Sequence, residues 1–213
     1  MKFLITAGPT REYLDPVRFI SNPATGTLGY FVAKKAKQRG HSVTVITGPC
    51  SFSEIRGVKK IQVESALEMK DAVEKEFLSC DVLVMTAAVS DWRPEKRYRE
   101  KLKMKRPWKL KLIPNPDILK SVEKIKKGNQ VVVGFALEST SIIENARKKL
   151  NEKKLDMLVA NTVENFGDSS RNNEIFVLYP DGKIKDCSGY SKRKLASFLV
   201  LEIERHNKLK RRK

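Results

Sequence analysis

The residues best suited to chemistry lie between Ile5 and Gly29 (ITAGPTREYLDPVRFISNPATGTLG). A short apolar strand, Lys2 to Thr6, stops at Gly8-Pro9. Thr25-Gly26-Thr27-Leu28-Gly29 then leads into an amphipathic helix. A strand, a glycine turn and a helix N-terminus form an anion site, because free backbone N–H groups and the helix dipole face the ligand together. Gly8 and Gly26 are eighteen positions apart, whereas a dinucleotide fingerprint holds its glycines within about six residues. The insert between them carries Arg11, Glu12, Asp15, Arg18, Ser21 and Asn22, a polar stretch long enough to be a site loop, although a capped surface loop gives the same pattern.

A second concentration of charge runs from Asp91 to Lys111. It holds Arg93, Lys96, Arg97, Arg99, Lys101, Lys103, Lys105, Arg106, Lys109 and Lys111. Like charges so close repel one another unless an anion binds or water solvates them. The run begins at the end of an apolar strand, and open α/β sheets bind ligands at the carboxyl ends of their strands. Lys149 and Lys153, four apart on one helix, share a face. On residue type, then, the chemistry is the positioning and neutralisation of phosphates.

Other chemistries lack their residues. The two histidines, His41 and His206, follow a helix stop and lie near the C-terminus, where both are expected to be surface residues, so Ser–His and Cys–His nucleophiles are disfavoured. Cys50, Cys80 and Cys187 are odd in number and far apart, which fits free thiols and offers no zinc pattern. A nicotinamide-dependent reductase needs a carboxylate after its second strand, where this chain has Thr47-Gly48-Pro49. Tyr30 and Lys34 mimic a reductase dyad but fall on the first helix, on a face running from core to surface.

The elements that must hold these groups alternate. A helix using Leu28, Phe31, Val32 and Ala36 stops at Gly40. Strands follow at Ser42 to Thr47, Lys60 to Val63, Asp81 to Val89, Gln130 to Ala136 and Asp156 to Ala160. Helices between them start at a Ser65/Glu68 capping box, at Asn115 as cap with Pro116 at the first helical position, and at a Ser141/Glu144 box. Asn173 to Tyr179 and Lys183 to Asp186, joined by Pro180-Asp181-Gly182, read as a hairpin. A last helix from about Ser191 uses Leu195, Phe198, Leu199 and Ile203. This order predicts an α/β, Rossmann-like three-layer fold with a mostly parallel sheet and right-handed crossovers, closed by a C-terminal β-hairpin.

A chain of 213 residues buries about 70% of its unfolded surface in one core. One domain over 1–204 and a frayed basic tail over 205–213 are expected. With 43 basic against 25 acidic residues, net charge +18, the partners should be anionic: nucleotides, phosphorylated metabolites, nucleic acid or an anionic membrane. Apolar runs are far short of a membrane span, and no signal peptide precedes the first strand, so a cytoplasmic protein without membrane contact is expected. A nucleic-acid-binding protein is the rival class, but interleaved aromatics and a known module are lacking. A nucleotide-binding regulator without catalysis is a third possibility.

The segments TAGPTREYLDPVRFISN, TGTLGY, AAVSDWRP, EKLKMK, NPDIL, VGFALES and ARKKLNEKKLDMLVAN, taken in order, resemble the bacterial phosphopantothenate–cysteine ligases (phosphopantothenoylcysteine synthetases) of coenzyme A biosynthesis. Many of those are fused behind a flavin-dependent decarboxylase, and this sequence looks like the stand-alone type. The resemblance implies that 4′-phosphopantothenate is activated by CTP, with Mg2+, to an acyl-cytidylate and pyrophosphate. L-Cysteine then attacks and CMP leaves. Carried over, Asn22 holds the acyl-cytidylate and Lys101, or its neighbour Lys103, is the loop lysine of catalysis. Ala88, Asp91, Pro116, Asp117, Ile118, Leu119, Phe135, Lys149 and Lys153 bind CTP. Gly8, Arg18, Ser21, Gly26 and Gly29 shape the substrate and phosphate site, and no residue is assigned to the metal. A homodimer is implied, with the Asn173 to Asp186 hairpin expected to help form it. Two departures stand out: Pro23-Ala24 replaces a basic and a serine residue and removes a backbone donor, and Ser90 stands where alanine is usual.

Overall fold

The computed structural model describes residues 1–51, 53–103, 106–162 and 174–210. Its centre is an eight-stranded sheet. Six strands are parallel: β1 (Lys2–Ala7), β4 (Ser42–Thr47), β5 (Lys59–Gln62), β6 (Val82–Met85), β9 (Val131–Glu138) and β10 (Met157–Thr162). The hairpin β11 (Ile175–Leu178) and β12 (Ile184–Asp186) adds two antiparallel strands at one edge. The spatial order is β12-β11-β10-β9-β6-β1-β4-β5. The chain therefore leaves β1 towards β4 and later returns to lay β6 on its other side. That reversal is the switch point where an open sheet forms its crevice.

Helices cover both faces. On one face α1 (Thr27–Gln38) and α5 (Lys192–Lys210) pack over Phe3, Ile5, Val84, Val133 and Val159. On the other, α2 (Ala66–Phe77), α3 (Ile118–Ile125) and α4 (Ile142–Glu152) pack over Leu4, Ile46, Leu83, Val132 and Leu158. Alternate residues of each strand feed opposite cores, which is why the strands read as unbroken apolar runs. The expected fold class stands, and the apolar face of α2, Ala66, Met69, Val73 and Phe77, is fully buried.

Helix ends follow the sequence in part. Ser65 Oγ accepts from Glu68 N at 3.2 Å, the expected half of the box, while the Glu68 carboxylate reaches one residue further back than the box predicts and accepts from Glu64 N at 2.9 Å. Buried Glu12 adds a second acceptor at the same helix start, taking the Ala66 N–H at 2.9 Å. α1 ends as expected: Gly40 is left-handed, with φ 81°, and His41 N reaches back to Ala36 O at 3.1 Å.

Four expectations need correction. Asp117, not Asn115, caps α3, accepting from Lys120 N at 3.2 Å, because Asn115 is drawn away to bind Ser90 and Arg93. Ser141 is left-handed and makes no side-chain cap, and Asn145 turns back to Thr140 and Glu138. Neither histidine is a free surface residue. His41 stacks on Phe3 at 4.9 Å between centroids and meets Glu204 at 2.8 Å. Arg39, with its two-pronged hydrogen bond, and His41 bring the Glu204 carboxyl down to about 2 against its burial. His206 faces Asp156 at 3.6 Å. Finally, the segment from Arg205 does not fray at once: α5 continues to Lys210, which reaches Gln130 O at 2.9 Å and Asp156.

The hairpin falls where the sequence placed it, except that Asn173 lies outside the described residues. Two small sheets were not foreseen. β2 (Arg11–Tyr13) pairs with β3 (Phe19–Ser21), and β7 (Trp92–Pro94) pairs with β8 (Leu112–Pro114). Among the described residues the cysteines are unpaired, and no helix is long and apolar enough to cross a membrane.

Candidate functional site

Strand β1 runs into Gly8, and the loops after β1, β4 and β6 stack on one another at the carboxyl edge. Gly8 O accepts from Ala88 N at 3.0 Å, and Thr10 Oγ1 accepts from Ser90 N at 3.0 Å. A Cβ on Gly48 would sit 1.7 Å from Pro9 O. Gly8 and Gly26, both with φ 74°, meet over Cys50: a Cβ on either would come within 2.8 Å of its Sγ. The long insert thus returns to its own start, and these glycines serve one close approach rather than one tight turn.

Gly26 caps α1 without a side-chain cap. Thr27 N is 3.4 Å from Thr25 Oγ1, and Tyr30 N returns to Gly26 O at 3.1 Å. That leaves the Leu28 and Gly29 amides without an intrahelical acceptor, facing a cleft of about 790 Å3. The first turn of α1 is held against the sheet by Gly29, whose Cβ would lie 2.6 Å from both Ala7 Cβ and Thr86 Oγ1 and 3.1 Å from Thr6 O. Gly29→Ala is therefore expected to lift that turn and cost about 1–3 kcal/mol of stability, read from urea unfolding midpoints. A midpoint equal to that of the unaltered protein would remove the close-packing account.

The cleft opens at the switch point. Its walls include Asn22, Gly26, Gly29, Ala88, Asp91, Pro116, Asp117, Ile118, Leu119, Phe135, Lys149 and Lys153. Twelve of the sixteen site residues expected from the sequence are thereby gathered from segments more than a hundred positions apart. Asn22 lies on the α1 side. Its Nδ2 donates to Ala88 O at 3.2 Å and Val89 O at 3.4 Å. Pro23 fixes the turn after it, in which Ala24 N donates to Asn22 O at 2.8 Å. Opposite, Lys149 pairs with Glu138 at 2.6 Å and Lys153 with Asp117 at 3.0 Å. Both lysines are thus held in place by carboxylates, for which an incoming phosphate must compete.

The remaining four expected residues do not line the cleft. Gly8 lies behind Gly26. Ser21 donates its hydroxyl to Thr10 O at 2.7 Å, bracing the loop. Arg18 pairs with Asp15 at 3.3 Å and donates to Leu102 O. Lys101 is exposed, beside that contact. The basic stretch is in fact tied to the β2–β3 hairpin. Leu102 N donates to Asp15 Oδ2 at 3.1 Å, Tyr98 N donates to Leu14 O at 2.7 Å, and Arg97 lies over Tyr13 at 4.9 Å. Burial works against a charge on Asp15, but the amides of Arg18, Val17 and Leu102 and the Arg18 guanidinium hold its carboxyl below the usual range.

Several wall residues escaped sequence reasoning. Asn161 at the end of β10 and Lys192 at the start of α5 both border the cleft, as do Thr25, Thr27 and Thr86. A polar residue directly after the apolar run DMLVA was a usable signal for Asn161. Lys192 sits among basic neighbours and gave none. Among the described residues no group of three or more His, Cys, Asp or Glu side chains is arranged to hold a metal ion. The acidic groups bordering the cleft are Asp91 and Asp117.

The family described as the DNA/pantothenate metabolism flavoprotein C-terminal domain matches residues 1–206. The coenzyme A biosynthesis bifunctional protein CoaBC of Vibrio parahaemolyticus is 40% identical over 204 residues, which cover 93% of this chain and 51% of that protein. The chain thus spans about half the length of that relative. The crystal structure of the C-terminal domain of a CoaBC protein superposes with a TM-score of 0.81 at 35% identity, covering 95% of this chain and 93% of the other. A Cab2 mutant in complex with phosphopantothenate-cysteine shares the fold, with a TM-score of 0.78 at 17% identity, covering 97% of this chain and 86% of the other.

Proposed function

Because this chain belongs to the family of the DNA/pantothenate metabolism flavoprotein C-terminal domain, we propose that it is a ligase of coenzyme A biosynthesis, joining 4′-phosphopantothenate to L-cysteine with consumption of CTP. The observation that carries this reading is the cleft at the switch point. It sets Asn22 and the open amides of α1 on one side and Lys149, Lys153 and the N-terminus of α3 on the other. The Cab2 fold holds phosphopantothenate-cysteine, and CoaBC carries coenzyme A biosynthesis in its name, which supports the same substrates here.

In the first step a carboxylate oxygen of 4′-phosphopantothenate attacks the α-phosphorus of CTP. The bond to the β-phosphate oxygen breaks and pyrophosphate leaves. In the second, the amine of cysteine attacks the acyl carbon of the mixed anhydride, loses a proton, and expels CMP. No covalent bond to the protein is needed, which fits a cleft with neither histidine nor cysteine among its walls.

Asn22 steadies the acyl group. Its bonds to Ala88 O and Val89 O are long, so exchanging one for the acyl oxygen costs little. A triphosphate carries about four negative charges, which Lys149, Lys153, the amides of Leu28 and Gly29 and the α3 N-terminus offset. Lys101 is assigned to the transferring phosphate. Since it stands outside the cleft, that role requires its loop to exchange the Asp15 and Arg18 contacts for the ligand. Magnesium ions usually ride on substrate phosphates with one or two carboxylates, a donor set that Asp91 and Asp117 can complete, and a bound ion would neutralise charge on the leaving pyrophosphate. The exposed β12 at the sheet edge supports pairing of two copies through the C-terminal hairpin.

Pyrophosphate release tests the assignment. Turnover is expected only with 4′-phosphopantothenate, CTP, cysteine and Mg2+ together, at about 1–100 turnovers per second, and ATP should serve at least about tenfold less well. Equal use of ATP would overturn the CTP assignment. Absence of turnover with either nucleotide, or tight binding to a defined nucleic acid instead, would overturn the ligase.

A further inference from the structure

One wall residue of the cleft is left chemically incomplete. Ser90 is 5% exposed, and its Oγ is buried with no hydrogen-bond partner. Its backbone is fully committed: the N–H donates to Thr10 Oγ1 at 3.0 Å, and the carbonyl accepts from Asn115 Nδ2 at 2.8 Å. The residue therefore cannot shift to satisfy its hydroxyl, and rotation about its own Cα–Cβ bond is the freedom it keeps. Buried hydroxyls rarely stay unpaired, because losing water without gaining a partner is costly.

The position gives the orphan a direction. Ser90 borders the cleft between two groups of ligand-facing atoms. On one side are Ala88 and Val89, whose carbonyls hold Asn22. On the other are Asp91, whose carbonyl accepts from Asn115 N at 2.7 Å, and then Pro116 and Asp117 at the start of α3. A hydroxyl swinging towards the cleft from this point meets whatever lies between the Asn22 carbonyl cradle and the α3 N-terminus.

The geometry points to Ser90 as a nucleotide-binding residue of this cleft, its Oγ–H donating to the nucleoside-monophosphate part of the bound nucleotide. This rests on the nucleotide reading given above. No protein group among the described residues pairs with the hydroxyl, and the nucleotide supplies an acceptor. Ser90 thus weakens the empty state and strengthens the filled one, and both effects favour binding.

The test is Ser90→Ala in the full chain, with CMP and CTP as probes in titration calorimetry and with steady-state kinetics. Affinity for CMP and for CTP should fall by the same factor, about tenfold. KM for CTP should rise correspondingly while kcat changes less than about twofold. The melting temperature of the free variant should stay level or rise, since an unsatisfied group has been deleted. Unchanged affinity for CMP would overturn the assignment, as would a loss for CTP that spares CMP. A lowered melting temperature of the free protein would overturn it too, by making the hydroxyl a structural group. Failure of the unaltered protein to bind either nucleotide would instead overturn the nucleotide reading itself.

Discussion

Asn22→Asp is expected to reduce pyrophosphate-coupled ligation by about 10³-fold, with the fold retained. The change exchanges two N–H donors for a carboxylate. Its oxygen would face Ala88 O and Val89 O, which Nδ2 now approaches at 3.2 and 3.4 Å. Two acceptors at that distance repel, so the 22–26 turn is pushed out of place. The new charge also opposes a substrate that itself arrives as a carboxylate, and no donor remains for the acyl oxygen as negative charge grows there. Asn22 is only part-buried and belongs to neither core cluster, so the melting temperature should fall by no more than about 2–4 °C. Full activity in Asn22→Asp would remove Asn22 from the mechanism. Loss of activity with loss of folding would make it a structural residue.

The second large effect lies at the opposite edge of the sheet and touches stability alone. Asp156, with an 8% exposed side chain, precedes β10. It accepts from Val132 N and Lys126 Nζ at 2.8 Å, meets Lys210, and faces His206 at 3.6 Å. Burial alone would raise its carboxyl, but His206, Lys126 and Lys210 hold it far below the usual range. Asp156→Asn leaves three basic side chains without their shared anion. The expected loss is about 3–5 kcal/mol, or roughly a 10 °C fall in melting temperature at neutral pH. Because the folded carboxyl titrates below its unfolded value near pH 4, its stabilisation is present above about pH 4 and drains away as the pH falls below that. The unaltered protein and Asp156→Asn should therefore converge in acid. Activity per folded molecule should be the same in both at neutral pH, since the cleft lies at the other edge. Thermal scans from pH 7 to pH 2 check this, and a constant gap between the two proteins across that range would contradict it.

Much of the frame follows from local rules that the sequence states openly. Ser42 to Thr47 is a strand to the residue, because β-branched side chains run unbroken up to Gly48-Pro49. Ser65 and Glu68 cap α2 because both partners of that bond lie within four positions. Asn115 shows the opposite case. Beside Pro116 it has every local mark of a cap, yet Ser90 O and Arg93 compete for it from more than twenty positions away, and Asp117 takes over. The β2–β3 and β7–β8 pairs were hidden for a similar reason: each strand has three residues and little apolar alternation, and hydrogen bonds to distant segments hold them.

By itself, then, the sequence located the stretches that form the parallel sheet, although β6 ends at Met85 where a strand to Val89 was expected, and the apolar faces of α1, α2 and α5, and it offered a glycine-edged loop and a pair of lysines as candidates for a phosphate site. Those are properties of spacing and residue type. Tertiary structure decided that Asn22, Asp117 and Lys153 share one cleft, that Leu102, next to Lys101, is tied to Asp15 and Arg18, that His41 and His206 face the carboxylates of Glu204 and Asp156, and that the Ser90 hydroxyl has no partner among the described residues. Each of those outcomes depends on which distant group wins a donor or an acceptor. That competition is settled by the order of strands across the sheet, which no short stretch of residues contains.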